Sequence, residues 1–290
     1  MSKQLIERLI NAKTNQSGMI ESGIKGIQLF RITDSIRCAP AVYEPSVTAI
    51  LNGNKEAICD GKKHLYDHQR YICCTMSMPI EAGTPTSSKD NPLLGVYITL
   101  DTKLMTELVL ELQSTLGTMH MPKQQPSQGL SSAQWDNKFT DALYRLLLLV
   151  DSPTDLAILS KSRLRELYYA ILQGQSGASF KRAFGVGNEV ARSIEYLSAH
   201  LSEAITIEDM AEYSGMSRAV FHRKFKQATN MSPIQFVKAM RLNNAAMKIA
   251  QGTHVNVAAM DVGYVSSSQF SREFKRMYGT SPKQWGKSTQ

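Results

Sequence analysis

The 290-residue chain lacks long apolar runs. A helix that crosses a bilayer needs about 20 consecutive, mostly apolar residues, and a run such as Leu146–Val150 is far shorter. The N-terminus carries Lys3, Glu7 and Arg8 where a secretory signal would need an apolar stretch. The sequence therefore predicts a cytoplasmic protein that has no membrane partner.

Cysteines are few, and all four lie in the first 74 residues: Cys38, Cys59, Cys73 and Cys74. Their spacing matches no zinc site, which predicts free thiols in a reducing compartment. Cys73 and Cys74 are adjacent, so they would face opposite sides of a strand. We favour buried thiols at this pair over a sensor of oxidants or aldehydes.

The sequence also lacks the motifs of common enzymes and metal sites. It has no Gly-x-Ser-x-Gly and no His-Glu-x-x-His. Gly286-Lys287-Ser288 resembles the end of a phosphate-binding loop, but Ser281 replaces the first glycine of that motif. His64 and His68 are not accompanied by further His or carboxylate side chains at the spacing of a metal site, which favours a surface role or a satisfied core role for both. We expect no catalytic residue, no metal and no cofactor; an enzyme built on the N-terminal domain would need a constellation that we do not find.

Positive charge is concentrated at one end of the chain. Residues 1–178 contain 18 Lys and Arg against 17 Asp and Glu, whereas residues 179–290 contain 15 against 8. The C-terminal part therefore has a net charge of +7 out of +8 for the whole chain. Such an excess favours a polyanionic partner for that part alone, with contact to acidic lipids or solubility as the alternatives.

The first hundred residues have the pattern of a small antiparallel sandwich or barrel. Short β-type runs are separated by turn signals, including Asn52-Gly53 and Asp60-Gly61, which favour tight hairpins. The predicted strands are Val47–Leu51, Glu56–Cys59, His64–Tyr66, Tyr71–Met76 and Leu94–Leu100.

Helical spacing follows the β-type region. Leucines 104, 108, 112 and 116 form a stripe that would be a dimer seam or would pack on the barrel. Residues 117–132 are predicted to form a mobile loop. Two more helices are expected at 135–150 and 159–172. The glycines between 174 and 187 predict a linker to the basic domain.

An internal repeat is the most informative feature of the C-terminal part. Ile207–Gly215 aligns with Val255–Gly263 at an offset of 48 residues. After one inserted residue, Phe221–Lys226 aligns with Phe270–Lys275 at an offset of 49. The chain therefore contains two copies of one helical unit.

Each copy has the parts of a helix-turn-helix. A small residue, Ala211 or Ala259, lets a second helix cross closely, and a glycine ends the first helix in left-handed backbone. A serine then precedes the second helix as its expected N-cap: Ser217 in the first copy, and Ser266 or Ser267 in the second.

Between the copies, a helix of about 19 residues would span about 28 Å. This is close to one turn of B-DNA, about 34 Å.

An ordinary bundle of helical hairpins would bury the same phenylalanines. It leaves unexplained Arg223 and Arg272, which face outward at equivalent positions in a basic domain. A guanidinium can pair with O6 and N7 of guanine together, so we favour two recognition helices in successive major grooves. The runner-up is an architectural DNA-binding protein with an inert β domain.

The C-terminal block resembles the AraC/XylS family of regulators. The resemblance rests above all on Gly-Tyr-Val-Ser-Ser-Ser-Gln-Phe-Ser-Arg-Glu-Phe-Lys at 263–275 and Tyr-Gly-Thr-Ser-Pro at 278–282. It extends upstream through residues 163–177. The region from Tyr43-Glu-Pro-Ser to Thr99-Leu-Asp is similar to the N-terminal domain of one branch of that family.

The resemblance implies an α+β multidomain fold: a cupin-like β-barrel sensor at 1–115, a helical connector at 116–178 and an all-α double helix-turn-helix domain at 186–290. It implies duplex DNA and RNA polymerase as partners, a small-molecule effector and a homodimer. The implied base-contacting residues are Ala219, His222, Arg223, Ser267, Ser268, Gln269 and Arg272. We expect phosphate contacts from Arg218, Lys226, Lys275 and Arg276.

Overall fold

A computed structural model describes residues 2–13, 15–115, 128–185 and 188–288 of the chain. Ten strands and twelve α-helices are found in these residues. The strands are β1 (Gly18–Glu21), β2 (Ile27–Ile32), β3 (Ile36–Tyr43), β4 (Ser46–Asn52), β5 (Asn54–Cys59), β6 (Lys62–Asp67), β7 (Arg70–Cys74), β8 (Met78–Thr84), β9 (Leu93–Thr99) and β10 (Leu130–Gln134). The helices of the first part are α1 (Ser2–Lys13), α2 (Thr102–Thr115), α3 (Asn137–Leu147), α4 (Pro153–Gln173) and α5 (Gly177–Phe184). Those of the second part are α6 (Glu189–Ala199), α7 (Ile207–Tyr213), α8 (Arg218–Thr229), α9 (Pro233–Ala250), α10 (Val255–Asp261), α11 (Ser267–Tyr278) and α12 (Pro282–Ser288).

The strands form one curled antiparallel sheet, a half-barrel, in the order β1-β2-β9-β4-β7-β6-β5-β8-β3. Strand β10 pairs with β7 outside this order. The Asp60-Gly61 hairpin is confirmed: it joins β5 to β6, Cys59 faces Lys62, and both turn residues have positive φ. Asn52-Gly53 is not a hairpin, because β4 pairs with β7 and β9 while β5 pairs with β6 and β8. It instead carries the chain from one part of the sheet to another.

Helices α1 to α5 cover one face of the sheet and share its first core. Tyr71 of β7 stacks on Phe139 of α3 with ring centroids 4.2 Å apart. Leu108 is buried, and Leu104 and Leu112 pack against the same core. The leucine stripe of α2 therefore packs within the chain; Leu116 lies outside the described residues.

The prediction of a linker between residues 174 and 187 is wrong, because this segment contains helix α5. Phe180 and Phe184 of this helix are buried in the first core with parallel rings. Gly177 lies so close to α4 that an added Cβ would be 2.1 Å from the carbonyl oxygen of Leu172. The glycine allows a close approach between two helices; Gly187 lies outside the described residues.

The loop predicted at 117–132 is wrong at its end, where Leu130 begins strand β10. Residues 117–127 lie outside the described residues. In β10, Leu130 pairs with Cys74 and Ala133 with Tyr71.

Cys73 and Cys74 are buried in two different cores, as expected for adjacent residues of a strand. Burial raises the pKa of the Cys73 thiol to about 12 and also raises the pKa of Cys74.

The second core joins the sheet to the first helical unit. It contains Tyr66 and Met78 from the sheet together with Phe221, Phe225 and Phe236 from the helices. The third core, by contrast, contains residues of α9, α10 and α11 and of the turn between α10 and α11, with Trp285 of α12 at its edge. Helix α9 packs on β3 and β8. No helix among the described residues is both long enough and apolar enough to span a bilayer.

Candidate nucleic-acid interface

The first helix-turn-helix is formed by α7 and α8. Thr206 caps α7 through a capping box with Asp209, in which each backbone N–H donates to the other side chain. Gly215 follows α7 with a φ of +63°, a left-handed conformation that favours glycine. Ser217 has extended backbone at the N-cap of α8, but its side chain makes no capping hydrogen bond.

The second helix-turn-helix is formed by α10 and α11. Gly263 ends α10 with a φ of +84°, and an added Cβ would lie 2.6 Å from the carbonyl oxygen of Leu201. Ser266 caps α11 by accepting from the Gln269 N–H at 3.2 Å. The sequence left Ser266 and Ser267 as alternatives for this N-cap, and the structure selects Ser266.

Each unit has a third helix, so the repeat is longer than the sequence alone indicated. Helix α6 in the first unit corresponds to α9 in the second at the offset of 49. Four buried positions of α6 match four buried positions of α9: Val190, Ser193, Ile194 and Leu197 correspond to Ala239, Leu242, Asn243 and Ala246. The central helix is therefore both the spacer between the units and the first helix of the second unit.

Both recognition helices bury two phenylalanines and expose the opposite face. Phe221 and Phe225 of α8, and Phe270 and Phe274 of α11, are fully buried. The exposed residues of α8 that the sequence singled out are Arg218, Ala219, Arg223 and Lys226. In α11 they are Ser267, Ser268, Gln269, Arg272, Lys275 and Arg276. The structure thus brings ten of the eleven predicted residues to two exposed helix faces.

His222 is the eleventh, and it lies at the edge of the exposed face. The side chain is half-buried, and its Nε2 atom is buried without a hydrogen-bond partner among the described residues. Gln227 is exposed one turn beyond Arg223 and corresponds to Arg276 of α11. The i, i+4 spacing from Arg223 could have identified Gln227, which the sequence analysis missed.

Some exposed side chains of this surface already have partners. Arg218 forms an ion pair with Glu208 at 2.7 Å. Gln269 Nε2 lies 3.5 Å from Glu273 Oε1, and the hydroxyls of Ser266 and Ser268 are 2.9 Å apart. An ion pair at such an exposed site contributes about 0–1 kcal/mol. Breaking it therefore costs little free energy when the side chain binds another partner.

An ion pair connects each recognition helix to the first helix of its unit. Lys238 of α9 lies 3.0 Å from Glu273 of α11, and Lys224 of α8 lies 3.8 Å from Glu189 of α6. These four residues also correspond at the offset of 49, but the charges are exchanged between the helices. The aligned segments 207–226 and 255–275 do not reveal this reversal, because Glu189 and Lys238 lie upstream of them.

Glu273 has a second partner in the turn of its own unit. The Tyr264 hydroxyl donates to its carboxylate at 2.9 Å. Burial would raise the pKa of Glu273, but hydrogen bonds from Lys238, Tyr264 and Gln269 outweigh burial and hold that pKa below its usual value. The carboxylate is therefore held in its charged form.

The two units also contact each other directly. Arg241 of α9 donates from Nη2 to the Glu203 carbonyl oxygen at 2.8 Å. The backbone of Gly263 in the second unit is packed against Leu201 of the first. These contacts join the segment that follows α6 to α9 and to the turn of the second unit.

Among the residues that the structure describes, no three His, Cys, Asp or Glu side chains are grouped to hold a metal ion. His64 is half-buried, and burial together with nearby Lys62 lowers its pKa. His68 is exposed.

A curled antiparallel sheet joined to paired helix-turn-helix units defines the class of protein. Residues 23–179 match the family model of the AraC-type transcriptional regulator N-terminus, and residues 210–288 match a helix-turn-helix domain. The first match covers more than half of the chain. The chain therefore belongs to the AraC-type transcriptional regulators, and the resemblance stated from its motifs is confirmed.

The curated relatives include an uncharacterized HTH-type transcriptional regulator of Haemophilus influenzae, 43% identical over 83 residues, which are 28% of each chain. The raffinose operon transcriptional regulatory protein RafR of Pediococcus pentosaceus is 29% identical over 147 residues. That alignment covers 50% of this chain and 53% of RafR. The matches thus span between about a quarter and a half of the length of these relatives.

A solved structure of wild-type ToxT from Vibrio cholerae, with an unsaturated fatty acid bound, has a similar fold. The TM-score is 0.59, with 10% sequence identity, over 90% of this chain and 94% of that chain. At this identity the similarity concerns the fold alone. It confirms the predicted fold class, with an N-terminal β domain and a C-terminal helical domain.

Proposed function

We propose that the chain is a sequence-specific DNA-binding transcription regulator whose N-terminal part responds to a small effector. The observation that carries this proposal is the pair Arg223 and Arg272. They are exposed at equivalent positions of two equivalent helices, in a part of the chain with a net charge of +7. An 18-residue central helix, about 27 Å long, lies between the two units.

We assign the residues of the exposed faces to two roles. Base contacts come from Ala219, His222 and Arg223 in α8, and from Ser267, Ser268, Gln269 and Arg272 in α11. Arg218, Lys226, Lys275 and Arg276 bind phosphates, which adds affinity without sequence information. The Nε2 atom of His222 is buried, so a base contact through that atom requires a rotation of the ring. Ala219 has no polar atom in its side chain, so the first helix reads mainly through Arg223.

We also propose a division of labour along the chain. Residues 1–115 form the sensor, 116–178 the connector and 186–290 the DNA-binding domain. Helices α3 and α4 of the connector and helix α5 beyond it are buried in the same first core as the sensor, and β10 pairs with β7, so the connector and α5 pack onto the sensor.

Family membership supports three proposed partners: a small effector, RNA polymerase and a second copy of the chain. Two names support an effector. RafR is named for a raffinose operon, and ToxT has been solved with a bound fatty acid. A homodimer would need a surface other than the leucine stripe of α2, since that stripe packs on the first core.

Selection of bound duplexes from a random library tests the proposal with the full chain. We expect two half-sites whose centres are about 10 base pairs apart, because two recognition helices enter successive grooves. The double variant Arg223→Ala/Arg272→Ala should enrich neither half-site. Lys103→Ala/Lys161→Ala removes the same charge from exposed residues of α2 and α4, and this control should select the wild-type sequence. Failure of the wild-type chain to enrich any sequence would overturn the proposal.

A further inference from the structure

A single buried amide connects the central helix to three other segments. Asn243 of α9 is 3% exposed. Its Nδ2 donates to the carbonyl oxygens of Ala41 in β3 and Ile80 in β8, each at 2.8 Å. Its Oδ1 accepts from the Tyr278 hydroxyl of α11 at 2.7 Å. Both N–H donors and the carbonyl oxygen of the amide are therefore used.

The amide is not needed for the packing of a three-helix unit. In the first unit the equivalent position is Ile194, which is fully buried. A buried amide costs free energy unless it is hydrogen-bonded, and here two of its three partners lie outside the second unit. Asn243 therefore serves the contact between this unit and the sheet.

The two strand carbonyls are sensitive to the shape of the sheet. Ala41 and Ile80 lie opposite each other in the β3–β8 ladder, and β3 is at the end of the strand order. The same strands carry Tyr43, Met78 and Ile80 into the second core. Such cores are closely packed. A change in the groups packed inside the curled sheet would therefore move the backbone of β3 and β8, to which Asn243 donates.

At its other end, the amide is attached to the second recognition helix. Tyr278 is the last residue of α11, and its ring lies 4.6 Å from that of Phe274. Phe274 is fully buried beneath the helix. A displacement of Tyr278 is therefore passed to the helix as a whole rather than absorbed at its end.

The first recognition helix is attached to the sheet at a different place. The Gly129 N–H donates to the Ala228 carbonyl oxygen of α8 at 2.8 Å. The Gly129 carbonyl oxygen accepts from Thr75, the residue that follows β7, at 2.9 Å. The two recognition helices thus have separate anchors, one next to β7 and the other on β3 and β8.

We propose that the N-terminal sheet sets the separation of the two recognition helices through these two anchors, and that Asn243 is the positioning residue of the second. The inference rests on the proposed function and adds how the sensor reaches the DNA-binding surface. A change in the β3–β8 ladder shifts α11 relative to α8. The preferred distance between half-sites then changes, while the bases read in each half-site stay the same.

The test uses full-length protein and duplexes with the selected half-sites, in which the spacer is shortened or lengthened by one or two base pairs. Tyr278→Phe removes only the hydroxyl that binds Asn243. Asn243→Leu removes all three hydrogen bonds at similar volume. Tyr169→Phe removes a hydroxyl from an exposed tyrosine of α4 and is the matched control. Thermal unfolding of each protein is measured in parallel.

We expect the wild-type chain and Tyr169→Phe to bind the best spacer at least about fivefold more tightly than its neighbours, the lower end of common coupling energies. Tyr278→Phe and Asn243→Leu should discriminate by less than about twofold, with base preferences within each half-site unchanged. If Asn243→Leu does not fold, Tyr278→Phe alone decides.

Two results overturn the inference while the proposed function survives. One is a wild-type chain that binds all spacers equally. The other is a variant that unfolds at lower temperature but keeps the wild-type spacer preference, since Asn243 would then be a structural residue only. A wild-type chain that selects no duplex contradicts the proposed function itself.

Discussion

Lys238 of the central helix and Glu273 of the second recognition helix form an ion pair at 3.0 Å, and the first unit has the same pair with the charges exchanged. The side chains of Lys238 and Glu273 are each about three-quarters buried. If α11 packed on α6 instead of α9, Glu273 would meet Glu189. The reversal therefore favours the pairing of each recognition helix with its own partner.

Charge reversal tests this pair. Glu273→Lys places two ammonium groups together and should lower stability by about 1 kcal/mol or more, the upper range for such pairs. The double variant Lys238→Glu/Glu273→Lys restores opposite charges and should recover most of that loss. Thermal unfolding measures both, and a double variant no more stable than Glu273→Lys would contradict the pairing role.

The same carboxylate predicts a pH dependence. Its pKa is lower in the folded chain than in the unfolded chain, so its contribution to stability is present above the usual pKa of glutamate, about 4.3. That contribution is lost as the pH falls through the lower, folded value. Stability of Glu273→Gln should fall less steeply than that of the wild type below about pH 4.3. Identical acid limbs of the two curves would show that Glu273 gains nothing from its partners.

Arg272→Ala and Arg223→Ala should each relax preference at one base pair, in different half-sites. Loss of a bidentate guanine contact costs about 1–3 kcal/mol. The affected base pairs should be about one helical turn apart, because an 18-residue helix separates the units. Binding selections on both variants measure this. Relaxation of the same base pair by both variants would refute two readers in two grooves.

Lys226→Ala and Lys275→Ala should instead weaken binding to all sequences about equally. Each lost phosphate contact should lower the slope of log affinity against log salt by about 0.9. Lys161→Ala, an exposed lysine of α4, is the control and should leave the slope unchanged. A selective loss at one base pair would show that the lysine reads sequence.

Gly177→Ala should destabilise the chain by about 1–3 kcal/mol, because its Cβ would overlap the backbone of Leu172. The neighbouring Ala178 is exposed, so Ala178→Ser provides the control.

A fragment 1–185 should be more stable than a fragment 1–178. The shorter fragment lacks Phe180 and Phe184, each of which contributes about 1.5–3 kcal/mol when buried. Equal thermal midpoints would mean that α5 does not belong to the sensor.

The helical repeat could be predicted from the sequence because its signals are local. Glycine at a helix end, a serine before the next helix and phenylalanines four apart all lie within a few residues of one another. The strands with alternating or continuous apolar residues, such as β4 and β9, were also predicted. The exposed faces of α8 and α11 followed from the same periodicity, with His222 at the edge as the exception.

What could not be predicted depends on partners distant in sequence. Strand β3 contains Pro40 and has few fully buried residues, and it is a strand only because it pairs with β8. Helix α5 was hidden by two glycines, one of which permits contact with α4. Asn243 looks like any polar residue of a helix until Ala41, 202 residues earlier, is found beside it.

The core shared between the sheet and the first helical unit has a consequence for local opening. Phe221, Phe225 and Phe236 are buried together with Tyr66 and Met78, whereas the second unit has an apolar core of its own. Amide hydrogens of α6 to α8 should therefore exchange with solvent at the slow rate of the sheet, since one cannot open without exposing the other. Those of α10 and α11 should exchange in a separate and faster event. The second half of the DNA-binding surface would then open locally without the rest of the chain, whereas the first half would open only together with the sheet.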